Sequence, residues 1–151
     1  RTASGVRGIN IEDDDEVVGM ITYDPTAEDA AAHSILVVSE NGYGKRSDFD
    51  EYRKTNRGGK GVKTLNITDK TGSLVAMKNV TDENDLMIIN RSGLTIRMAV
   101  SDIRIAGRAT QGVRLINIKE GDSIAAISAV NKSEEDAPVA PVEQANEDNK
   151  E

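Results

Sequence analysis

The phrase Gly-Val-Arg-Gly-Ile-Asn-Ile begins at Gly5 and returns as Gly-Val-Lys-Thr-Leu-Asn-Ile from Gly61 and Gly-Val-Arg-Leu-Ile-Asn-Ile from Gly112. A period of about 50 residues points to stacked supersecondary units, because one copy cannot bury its own apolar face without neighbours. A second anchor fixes the register. Ile35-Leu-Val-Val-Ser-Glu-Asn-Gly-Tyr-Gly-Lys-Arg46 aligns with Leu86-Met-Ile-Ile-Asn-Arg-Ser-Gly-Leu-Thr-Ile-Arg97 at an offset of 51, the same offset that joins Gly61 to Gly112. Gly5 and Gly61 lie 56 apart, and the surplus falls in Asp24 to His33, which reads as a longer hairpin loop.

The units read as β-structure. Val17-Val-Gly-Met-Ile21, Ile35-Leu-Val-Val38, Leu86-Met-Ile-Ile89 and Ile124-Ala-Ala-Ile127 are short aliphatic runs followed by Gly, Asn or Asp. Asn41-Gly42 is a hairpin-turn signal, since a type I′ turn needs positive φ at both central residues. Ser92-Gly93 holds the same place one unit later. Each unit therefore comprises an aliphatic strand, an apolar strand ending in a Gly turn, a strand carrying Lys or Arg, and the Gly-Val-basic strand. The expected class is all-β and propeller-like, with about two to two and a half four-stranded blades. A closed ring needs at least about four blades, so the expectation is a piece of a larger protein whose start at Arg1 is a cut.

Cysteine is absent, which removes disulfides and thiolate metal sites and suits a reducing, cytoplasmic setting. No apolar run approaches the roughly 18 residues of a membrane span. The net charge of −7 is uneven. From Ser133 onward seven acids face one base, Lys150, whereas residues 1–132 hold 19 acids and 18 bases. The stretch 133–151 also lacks apolar periodicity, and such composition cannot repay ordering entropy. The domain division expected is therefore 1–132 folded and 133–151 a disordered acidic tail, serving either for solubility or as a DNA mimic that competes for a basic rim.

Between Tyr43 and Lys70 eight bases face four acids. At its centre, Arg53, Lys54, Arg57 and Lys60 alternate with Gly58, Gly59 and Gly61, so the backbone can approach a phosphate while the cations supply charge. Lys45 and Arg46 precede this run, and Arg97, Arg104, Arg108 and Arg114 repeat the idea in the third unit. Stacked blades would align these bases as a stripe on one rim. With only Phe49, Tyr23, Tyr43 and Tyr52 aromatic, the stripe suits duplex DNA better than single strands, which need stacking platforms. Phosphate contacts of this kind are insensitive to base sequence and favour bending. Arg7, Lys63 and Arg114 share one repeat position, so pairing between blades rivals DNA contact there.

Asn41-Gly-Tyr-Gly-Lys-Arg46, Asn56-Arg-Gly-Gly-Lys-Gly-Val62, Val100-Ser-Asp-Ile-Arg104 and Gly107-Arg-Ala-Thr-Gln-Gly-Val113, with an acidic tail behind them, resemble the end of the C-terminal domain of the A subunit of bacterial DNA gyrase. The resemblance runs over about 1–130. It implies a β-pinwheel, usually of six blades with strands exchanged between neighbours, whose basic outer rim wraps duplex DNA. It further implies a bacterial, nucleoid-associated parent that introduces negative supercoils together with a second copy of itself and the gyrase B subunit. ATP and Mg2+ are then bound on other domains, and this chain has no catalytic residue, metal or cofactor of its own. The family's hallmark box, Gln-basic-Arg-Gly-Gly-basic-Gly, is matched only in part by Thr55 to Gly61, which lacks the leading Gln and basic pair. The corresponding domain of topoisomerase IV is the close relative, and a non-catalytic propeller that binds protein is the competing class.

Other motifs are weaker. Glu12-Asp-Asp-Asp-Glu16 lacks the spaced ligands of a calcium loop and reads as a solvated turn. His33, the only histidine, has no second His or Cys near it in sequence and reads as a surface residue. Gly58-Gly-Lys-Gly61 lacks the spacing and the Lys-Ser/Thr ending of a nucleotide phosphate loop.

Overall fold

The computed structural model describes residues 2–132. Seven strands form two antiparallel sheets: β1 (Ser34–Ser39), β2 (Tyr43–Ser47), β3 (Leu74–Val80), β4 (Asn84–Asn90), β5 (Thr95–Ala99), β6 (Val113–Arg114) and β7 (Ile124–Asn131). The first sheet has the order β3-β1-β2-β6 and the second β5-β4-β7. The all-β, propeller-like class expected from the repeat is the observed one.

The offset of 51 survives in three dimensions. The single-turn 3-10 segments Phe49–Glu51 and Val100–Asp102 are separated by it, and β1 and β2 map onto β4 and β5 to within a residue. Strand exchange is visible at β6. The third phrase does not join the sheet of its own unit; Val113 pairs with Gly44 and Arg114 with Tyr43 of the unit before. The phrase thus fastens one blade to the preceding one, and β5, the counterpart of β2, remains an edge strand among the described residues.

Burial follows from this arrangement. In β1, Leu36 and Val38 face the second sheet, while Ile35 and Val37 pack with Leu65, Ile21 and Phe49 on the opposite face. A strand covered on both sides reads as a continuous apolar run, as Ile35-Leu-Val-Val38 does. In β4 only the alternate residues Leu86 and Ile88 are fully buried, and Ile89 is exposed. The main core joins Leu36, Val38, Val80, Leu86, Ile88 and Ile127 between the two sheets.

The run Val17–Ile21, an expected strand, is not one. It packs against the first sheet instead, with Ile21 in the smaller core and Tyr23 stacked on Phe49 at 3.7 Å between ring centroids. A strand exists only where a ladder satisfies its amides, and among the described residues no neighbour gives 17–21 what β1 gives β3. The longer loop expected at Asp24 to His33 is present and includes a 3-10 turn, Ala30–Ala32.

Candidate nucleic-acid interface

The basic residues separate into two groups once their surroundings are known. Arg53, Lys54, Arg57 and Lys60 are exposed and make no hydrogen bond or ion pair among the described residues. They lie on one loop that connects the 3-10 turn Phe49–Glu51 to the second phrase. Arg53, Thr55, Asn56, Arg57, Lys60 and the three glycines surround an open concavity of about 400 Å³. Gly58 holds φ at +77°, a left-handed conformation that turns the chain sharply and is strained for residues with a Cβ. A search by charge alone misses Thr55 and Asn56; their signal is a hydroxyl and an amide standing between bases, both able to donate to an anion.

The loop is held at its tip. Gly58 N donates to Gly8 O at 2.8 Å, and Asn10 N donates to Gly59 O at 2.9 Å. The second bond recurs one unit later, where Asn66 N donates to Thr110 O at 3.0 Å. The asparagines of the first two phrases, Asn10 and Asn66, therefore fasten the segment that leads into the next phrase. In the first and third phrases the asparagine side chain also serves the basic residue three before it, since Arg7 Nη1 donates to Asn10 Oδ1 and Arg114 Nη1 to Asn117 Oδ1. Arg114 also donates twice to the Tyr43 hydroxyl and lies 5.5 Å from the centre of its ring, which holds the phenol below its ordinary pKa. Of the two roles weighed for this repeat position, the contacts of Arg114 are those of blade pairing.

Lys45 and Arg46 are placed otherwise than the basic-rim expectation has it. Lys45 is 1% exposed, and its ammonium donates to Gly107 O at 2.6 Å and to Arg108 O. Burial pulls its pKa below the ordinary lysine value. Arg46 is 5% exposed; Nε donates to Ile103 O at 2.6 Å and Nη1 to Asp82 Oδ1 at 2.6 Å. Their strand, β2, is buried along its whole length because β6 and the segment 103–108 cover it. Lys45 is spent on two backbone carbonyls and Arg46 on one carbonyl and the Asp82 carboxylate, so the correction is physical: both cations are buried against acceptors rather than presented to a phosphate.

The third-unit bases are mixed. Arg97 Nε donates to Asp85 Oδ2 at 2.7 Å with its side chain partly exposed. Arg104 is exposed without a partner among the described residues. Arg108 is half-buried, with Nε on Glu51 O at 3.0 Å and Nη1 on Lys63 O at 2.6 Å. The ten candidates do not form one stripe; the structure gathers four of them on the loop 53–61.

Carboxylates border this cluster. The segment Glu12–Glu16 forms an exposed turn, and Glu12, Asp14, Asp15 and Glu16 share a groove of about 760 Å³ with Lys60. His33 is set between Asn79 Oδ1 at 2.8 Å and Asp29 Oδ2 at 3.2 Å. Those two acceptors raise its pKa, the Asn79 bond most. No helix is long and apolar enough to cross a membrane among the described residues. The stretch 133–151, expected to be a disordered tail, lies outside them.

Comparison with known proteins agrees with this geometry. The family model described as the DNA gyrase C-terminal domain, beta-propeller, matches residues 1–24, 33–81 and 84–131, and so skips the longer loop. The DNA gyrase A subunit of Staphylococcus epidermidis is 46% identical over 135 residues, covering 89% of this chain and 15% of that protein. Its counterpart from Staphylococcus aureus is 46% identical over 136 residues, covering 90% and 15%. The chain thus spans about 15% of the length of these relatives. Among solved structures, a DNA gyrase A C-terminal domain superposes with a TM-score of 0.60 at 25% identity, covering 64% of this chain and 33% of that one. The C-terminal domain of DNA topoisomerase IV gives 0.71 at 21% identity over 83% of this chain and 38% of that one, a likeness of fold.

Proposed function

This chain belongs to the DNA gyrase C-terminal domain family, and from that premise we propose that it binds and wraps duplex DNA without sequence preference as part of a gyrase A subunit. In this reading it contributes no bond-making chemistry. Its parent acts in the bacterial cytoplasm with a second copy of itself and with the B subunit, introducing negative supercoils with ATP and Mg2+ held on other domains. The 46% identity to gyrase sequences favours this over the second reading, the equivalent domain of topoisomerase IV, whose C-terminal domain shares the fold.

One observation carries the proposal: a single loop exposes four cations without partners among the described residues, and three of them, Arg53, Arg57 and Lys60, line its glycine-rich concavity. Such a loop meets phosphate through charge and main-chain approach, and neither distinguishes one base pair from another. Wrapping needs several contacts, because bending 20 to 30 base pairs costs roughly 1–6 kcal/mol. The test is the salt dependence of binding to a linear duplex of mixed sequence. Each phosphate neutralised contributes a slope of about −0.9 in log affinity against log salt. Replacing Arg53, Lys54, Arg57 and Lys60 together by Gln should flatten the slope by up to about 3.6. An unchanged slope overturns the assignment of this loop to DNA.

A further inference from the structure

We propose that Arg108, seated by Lys45, is a positioning residue that closes the stem of the basic loop 53–61 and so sets the arrangement in which its cations meet phosphate. The inference rests on the reading above and assigns a role to two residues that charge alone would place against DNA.

The contacts form a relay across units. Lys45 in β2 donates to the carbonyls of Gly107 and Arg108, fixing the backbone from which Arg108 projects. The Arg108 guanidinium then donates to Glu51 O and Lys63 O. Those two carbonyls flank the loop, one on the residue two before Arg53 and the other two after Gly61. A planar guanidinium suits this bridge, since its donors diverge in one rigid plane and can hold two acceptors at a fixed separation. The Arg108 main-chain N–H also approaches Glu51 Oε2 at 3.4 Å. Beside the bridge, Tyr52 and Thr64 share a hydroxyl hydrogen bond that closes the stem from inside.

With the tip held by Gly8 and Asn10 and the stem by Arg108, the loop is fastened by the unit before it and the unit after it. A cationic loop restrained in this way loses little freedom when it takes up an anion, and that is where preorganisation adds affinity. The loop cations are free to meet a phosphate, whereas Arg108 already has backbone acceptors. Its contribution therefore reaches DNA through the loop rather than through its own charge.

The experiment uses the complete 151-residue chain with Arg108→Gln, Arg108→Lys and Lys45→Met, each also combined with the four-Gln loop variant. Amide hydrogen exchange without DNA should speed up by about tenfold or more at 53–61 in Arg108→Gln and Lys45→Met while β1 and β4 keep their protection. Arg108→Lys should recover part of the loss. In duplex titrations at several salt concentrations, Arg108→Gln should weaken binding by about tenfold at every salt with the slope unchanged, and should add nothing once the loop cations are gone. A slope reduced by about 0.9 would place Arg108 on a phosphate and overturn the proposal. So would unchanged exchange at 53–61, or exchange that rises equally throughout the sheets. Should the four-Gln variant leave DNA binding intact, the DNA reading of the loop fails, while the exchange data still decide whether Arg108 is its clasp.

Discussion

Lys45 illustrates what sequence can convey about a single residue and what it cannot. Its neighbours, Arg46 and the glycines about it, supply charge and flexibility, and both are properties of a phosphate contact. Its burial arises from β6 and residues 103–108, which are distant in sequence and fold over it, and nothing local encodes that cover. Glycines are more legible because they answer to backbone geometry. Gly112 holds φ at +77°, and a Cβ there would stand 2.6 Å from Gly44 O, so Gly112→Ala combines left-handed strain with a clash against main chain. The expected loss is about 2–4 kcal/mol of unfolding free energy, read by urea denaturation. Gly93 has φ +87° but open space about it, and Gly93→Ala should cost only about 1–2 kcal/mol. Equal losses at the two sites would show that close approach of the phrase to β2 is not what Gly112 serves. His33 gives the titrating counterpart. Oxygen acceptors at both ring nitrogens favour the imidazolium, and the folded pKa lies above the ordinary 6.5. A group whose pKa rises on folding lends its full stabilisation below its unfolded pKa and loses it as pH climbs through the folded value. The chain should therefore be relatively more stable near pH 5 to 6 than near pH 8 through this group, and His33→Gln should remove that part of the pH dependence in thermal melts. A pH profile identical in the two proteins would refute the assignment.

At the scale of elements the repeat is the most informative feature, and its reach has a physical limit. Self-similarity states which segments are equivalent, so the offset of 51 locates β4, β5 and the second 3-10 turn from their partners in the preceding unit. Equivalence does not state contact. The family resemblance implies exchange between neighbouring blades without saying which strand moves; that the third phrase leaves its own unit for β2 is seen in the pairing itself, because a Gly-Val-basic strand has no mark of the sheet it joins. The failure at Val17–Ile21 has the same origin, since β-propensity is realised only where a neighbour completes the ladder. The exchange can be tested through a phenol. Arg114 on β6 is the principal cause of the lowered Tyr43 pKa, with Lys70 contributing less from 5.5 Å above the same ring. Arg114→Ala should move the Tyr43 transition to higher pH in an ultraviolet titration. Absence of any shift would mean that β6 does not lie beside Tyr43 in solution.

For the whole molecule the deciding quantity is the placement of charge, not its total. The chain carries −7, yet residues 1–132 are within one unit of neutrality, and the loop 53–61 projects four cations without a carboxylate partner among the described residues. The remaining negative charge is concentrated in 133–151, at seven acids to one base. A polyanion tethered to a cationic loop acts at a high effective concentration, so even a weak mutual attraction competes with a free duplex. If the acidic stretch occupies the loop, removing 133–151 should tighten DNA binding. The gain should be largest at low salt and shrink as the Debye length falls from about 30 Å at 0.01 M to about 8 Å at 0.15 M. The same truncation made in the four-Gln loop variant should yield a smaller gain, because the shared target is gone. A solubility tail predicts something else: equal affinity with and without 133–151 at every salt concentration, and a loss only in the concentration at which the protein stays dispersed. Titration of the four proteins with one duplex at three salt concentrations separates the two, since competition requires the truncation effect to depend on both the loop cations and the salt.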